Sequence, residues 1–224
     1  MATLALKVLL APALVVAATL AGRRWGDRAG GLVIAIPVVA GPILLILAID
    51  HGRAFAGRAA CGALIGIVAV AAFCLVFDRM AARGLAPAVA VGWLTFAVLA
   101  YPLSRITTGP LASALIAVAA IAAARVVLGP EASRPSPRGP APAWDLWARA
   151  GVTCALVLAL TSAASALGPR LSGVLTPFPV ATTVLVGFTL VQGGPSAVRN
   201  ALRGFLTALP GFAAFFFVVA LAMS

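Results

Sequence analysis

The chain has 224 residues, of which 63% are hydrophobic and 9% charged, with a mean hydropathy of +1.14. These values exclude an ordinary soluble domain and define an integral membrane protein. The net charge of +11 would suit nucleic acid in a soluble protein. Here the arginines fall between apolar runs, where they orient helices and meet lipid headgroups, so no nucleic-acid partner is expected. Apolar runs of about 20 residues recur, long enough to cross the roughly 30 Å hydrocarbon core as helices. Period-2 alternation is absent, so the fold class is all-α, a polytopic transmembrane helical bundle.

In chain order the runs predict eight spans: 3–21, 31–49, 59–77, 85–103, 109–127, 147–166, 173–191 and 201–222. The first lacks the small-residue cleavage pattern of a signal peptide before "GRRWGDR" and reads as a retained helix. Between the fourth and fifth, "AYPLSRITTGP" reads as a turn and a helix start. "GPEASRPSPRGPAPAW" is a polar, proline-rich linker. The domain division is a first membrane half at 1–128, a linker at 129–145 and a second half at 146–224.

An ungapped shift of 142 residues lays the first three spans on the last three, so 146–224 repeats 4–82. "GDRAGGLVIAIPV" at 26–38 meets "GPRLSGVLTPFPV" at 168–180, and the pairs Gly26/Gly168, Arg28/Arg170, Gly31/Gly173, Pro37/Pro179, Gly52/Gly194 and Gly62/Gly204 share one register. Five spans precede the second copy, an odd number, so the copies enter from opposite faces as an inverted repeat. The loops after the odd-numbered spans through the seventh, with the span ends beside them, hold eleven arginines, Arg125, Arg149 and Arg203 at those ends among them, and the opposite side holds five basic residues. The positive-inside rule then places the linker in the cytoplasm of a bacterial inner-membrane protein and both termini outside.

The repeated motif supplies the candidate substrate-binding residues: Arg28, Gly31, Pro37, Arg170, Gly173, Thr176, Pro179 and Thr183. Glycine admits close backbone approach, and proline removes a backbone donor and breaks or kinks a span. Paired discontinuous helices in inverted halves form midplane substrate sites in many transporters. Arg28 and Arg170, each beside a helix start, offer positive potential to an anion, or serve as interfacial anchors. Thr176, Pro179 and Thr183 fall on one helical face at helical spacing, although threonine also bonds to its own helix backbone. Packing alone accounts for the glycines and prolines equally well.

Other polar chemistry is sparse. Asp50 and His51 end the second span, as a titrating pair or a solvated helix end. Asp27 and Asp78 read as loop residues, and Glu131 and Asp145 as flanks of the linker. Cys61, Cys74 and Cys154 lie in apolar runs without metal or redox spacing and read as small hydrophobes. With one histidine and no nucleophile or phosphate-loop motif, no enzymatic activity, cofactor or metal is expected.

Through Arg28, Gly30, Gly31, Leu32 and Pro37, echoed by Arg170, Gly173 and Pro179, the repeated unit resembles small bacterial inner-membrane proteins of the GlpM family. That resemblance spans about 55 residues per copy and implies a membrane protein without catalytic residues. The inverted plan is also similar to the drug/metabolite transporter superfamily. This chain departs from it by having three spans in its second half and no glutamate in its first helix. The sequence thus predicts a transporter of a small or lipid-like, anionic substrate, or else a non-transporting component of an envelope or polysaccharide assembly. The expected partners are membrane lipids and the anionic substrate, with a homo-oligomer left open.

Overall fold

The computed structural model describes residues 2–37, 41, 44–45, 48–49, 52–130, 142, 144–167 and 178–223, with the side chains of 9–159 and 178–223 among them. It is an all-α bundle: α1 Ala2–Trp25, α2 Asp27–Ile34, α3 Arg53–Ala81, α4 Leu85–Leu103, α5 Pro110–Leu128, α6 Asp145–Leu167 and α7 Val180–Met223. Four of them, α3, α4, α5 and α7, are long and apolar enough to cross a membrane. α7 is two helices joined at Gly194, whose φ of 72° and ψ of −173° are not helical.

α3 and the second half of α7 form the centre. Phe73, Phe77, Leu64, Ile67, Leu202, Leu206 and Leu209 are fully or almost fully buried there. α4 and α5 each pack on α3 and leave Leu94, Val98, Leu111, Leu115, Val118 and Val126 exposed. In a membrane these outer faces meet lipid, which rewards apolar side chains as the core does. Gly92 admits α4 to α3, because a Cβ there would stand 3.0 Å from the Phe73 ring.

α2 is a short helix wedged between two backbones. On one side Gly30 lies against α1, where a Cβ would come 2.8 Å from the Ala18 carbonyl oxygen and 3.4 Å from Gly22 Cα. On the other, a Cβ at Gly31 would overlap the Ala201 carbonyl and stand 2.7 Å from the Phe205 nitrogen, and one at Gly204 would overlap the Arg28 carbonyl. The adjacent glycines of the "GGL" motif therefore serve two different helices.

The span predicted at 31–49 is not one continuous helix among the described residues. α2 stops at Ile34 because Pro37 has no N–H to donate and restricts Ile36 before it. The Ile36 N–H turns back to the Val33 carbonyl, at 3.2 Å. Of the span predicted at 173–191, residues 173–177 lie outside the described residues, and the described helix begins at Val180, directly after Pro179. The proline carbonyls then accept equivalent bonds, Gly41 N–H to Pro37 O at 3.2 Å and Thr183 N–H to Pro179 O at 2.8 Å. Pro179 suits the start of α7, since its missing donor would have had no partner in the first turn.

Adding 142 to the bounds of α1 and α3 gives 144–167 and 195–223, against observed helices at 145–167 and, past Gly194, to Met223. Gly52, before α3, has φ 86° and ψ 162°, close to the conformation of Gly194. A side chain is strained at either position, which is why glycine stands at both. α1 and α6 run antiparallel, with Arg23 meeting Asp145 and Ala11 sharing a cluster with Val157. α3 and the second half of α7 are also antiparallel, with Gly57 against Met223 and Asp78 against Arg199.

Candidate functional site

The sequence-predicted site residues separate. Gly31 is buried in the α2–α7 crossing, Arg28 is exposed at the start of α2, and Pro37 is half-buried at the break. Pro179 and Thr183 are buried together at the start of α7. Arg170, Gly173 and Thr176 lie outside the described residues, as do Asp50 and His51. The face proposed for Thr176, Pro179 and Thr183 can therefore be followed only from Pro179 onward.

At that break the threonine hydroxyl has two partners. Thr183 Oγ1 donates to the Pro179 carbonyl at 2.6 Å and accepts from Trp93 Nε1 at 3.1 Å. Phe178 lies edge-on to both Trp93 and Phe96, with centroids 5.2 and 5.1 Å apart. The bond to its own backbone was one of the two sequence readings of this threonine. The indole contact adds a tie to α4 that sequence spacing could not reveal. Thr183→Val is expected to cost about 1 kcal/mol of stability, with a coupling to Trp93→Phe of about 0.6 kcal/mol. A double-mutant cycle of reversible unfolding in lipid bicelles measures both.

The strongest polar constellation falls on residues the sequence reading set aside. Asp145, read as a linker flank, is fully buried as the first residue of α6. Its Oδ2 accepts from Arg23 of α1 at 2.6 Å and from Arg149, one turn on, at 2.8 Å. Its Oδ1 accepts from the Gln192 side-chain amide. Arg149, only 3% exposed, also donates to Gln192 Oε1 at 3.0 Å and lies 4.7 Å from the Phe188 ring centroid. A buried charge needs this degree of pairing, because its hydration is lost.

Asp78, read as a loop residue, is likewise buried, inside α3. It accepts two bonds from Arg199, Nε to Oδ1 at 3.1 Å and a terminal nitrogen to Oδ2 at 2.8 Å. Gln192 and Arg199 flank Gly194, so the two halves of α7 are held by different charge clusters on either side of the joint. In the sequence, the four-residue spacing of Asp145 and Arg149 was the available signal. The pairs across 121 to 122 positions had none. Arg23, Asp145, Asp78 and Arg199 gather at the end of the bundle where α5 stops and α6 starts.

Comparison of the chain with protein-family models, with curated proteins and with solved structures returns no match.

Proposed function

We propose that the protein is a carrier whose two inverted copies move a small or lipid-like, anionic substrate across the bacterial inner membrane by alternating access. The observation that carries this reading is the pair of matched prolines, Pro37 and Pro179, both non-helical and each with its carbonyl accepting from the N–H four residues on, that of Gly41 and of Thr183. Antiparallel packing of α1 with α6, and of α3 with the second half of α7, supports the inverted relation. Discontinuous helices of this kind free backbone groups within the membrane for a substrate or ion. Arg28, exposed beside the α2 N-terminus, and Arg170 in the second copy are the residues proposed to attract the anion. The arginine asymmetry places both termini outside the cytoplasm in this reading.

A non-transporting assembly component is the alternative, favoured by the use of Gly30 and Gly31 in backbone packing. Water access at the breaks separates the two. In protein with Cys61, Cys74 and Cys154 replaced by Ala, single cysteines at Ile36 and Ala181 are expected to react with a charged, impermeant thiol reagent from either face of oriented vesicles. Silence at both positions from both faces would reject the carrier.

A further inference from the structure

The charge clusters on either side of Gly194 belong to different helices of the bundle. Gln192, the last polar residue before the joint, bonds Asp145 and Arg149 of α6, and Asp145 in turn holds Arg23 of α1. Arg199, in the first turns after the joint, grips Asp78 near the end of α3 with two bonds. Between them stand Gly193, Gly194 and Pro195, with Gly194 in a conformation that ends one helix and starts another. Thus both arms of the α7 joint are fastened at one end of the bundle, one to the α1–α6 pair and the other to α3.

We infer that these two clusters are a latch that holds this end of the bundle closed, with Gly194 as the hinge on which the two arms of α7 part when it opens. The latch rests on the carrier reading. Its chemistry suits release. The Asp78–Arg199 pair is accessible to water on the arginine side, where the Arg199 side chain is 44% exposed. Arg199 regains water when the pair parts, whereas Asp78, 7% exposed, must be reached by water as the joint opens, so this pair sets most of the cost of opening that a substrate's binding energy has to meet. The Asp145 cluster is divided differently. Arg23 and Arg149 keep the carboxylate neutralised when Gln192 leaves, so α7 can detach without stranding a bare charge. Gln192 is the uncharged member, and it is the one contributed by the moving arm.

The test uses the same background lacking native cysteines, with a reporter cysteine at Ala197, which is 1% exposed beside the hinge. Gln192→Leu frees the first arm and leaves every ion pair in place. Asp78→Ala with Arg199→Ala frees the second without leaving a lone charge. Each release is expected to speed labelling of the reporter by an impermeant maleimide at least threefold, and both together at least tenfold. The charge swap Asp78→Arg with Arg199→Asp is expected to keep the slow rate. With the reporter moved to Ala181, release should raise labelling from the latched face and lower it from the other.

A rate unchanged within twofold in folded Gln192→Leu overturns the latch, even if the triple variant fails to fold. Faster labelling at Ala197 with no change at Ala181 is local fraying and also overturns it. If Ala181 in the parent protein is labelled from both faces while release has no effect, the latch falls and the carrier stands. If Ala181 and Ile36 are labelled from neither face, both fall.

Discussion

Gly31→Leu is expected to abolish accumulation of folded protein in the membrane. A Cβ at this position overlaps the Ala201 carbonyl oxygen, and the nearest atoms beyond it belong to the Phe205 backbone. Overpacking that meets a flexible side chain is relieved by a rotamer change, whereas two helix backbones must move apart. Separating α2 from α7 would also lift Gly204 off the Arg28 carbonyl, because the two glycines share one crossing. The expected cost exceeds about 4 kcal/mol, a large part of the roughly 5–15 kcal/mol by which domains are stable. Gly62→Ala is the control. Nothing lies within 4 Å of a Cβ there, and the change should be under about 1 kcal/mol. Fluorescence-detected size exclusion of membrane extracts, with thermal melts in detergent, reads both. Wild-type yield and melting for Gly31→Leu would show that α2 does not sit against α7 as described.

Arg149→Met carries the second-largest expected effect. It leaves Asp145, fully buried, with Arg23 and Gln192 as its remaining partners, and Arg23 is itself 31% exposed. Removing one partner of a buried pair costs about 3–5 kcal/mol, because the other charge stays without its hydration. The loss should be read as the cost of stranding Asp145. For that reason Asp145→Asn together with Arg149→Met is expected to recover at least half of it. Reversible unfolding in bicelles measures the cycle, and a double mutant as unstable as Arg149→Met alone would contradict the assignment. Methionine keeps the stem that packs near Phe188, so lost packing is a small part of the difference.

The two substitutions differ in how much the sequence disclosed. Gly31 was marked by its place in a repeated motif, and a glycine in an apolar run already signals close backbone approach. What it approaches was not readable, because Gly31 and Ala201 lie far apart in the chain and nothing local ties them. Arg149 was counted as one of many loop arginines. Its buried role depends on Gln192 and Arg23, which arrive from other helices.

Composition and periodicity determined by themselves that this chain is a helical membrane protein. Lipid leaves backbone groups no partner except their own helix, so long apolar runs have a single solution. Local chemistry also marked Pro37 and Pro179 as places where a span breaks or kinks, and the described helices α2 and α7 end and begin within three residues of them, at Ile34 and Val180. Only the tertiary structure decided which helix lies in the centre, that Asp78 and Asp145 are interior residues, and that Thr183 meets Trp93. Those outcomes depend on charges and hydroxyls finding partners tens of residues away. A sequence lists such groups, but their pairing is a property of helices already packed.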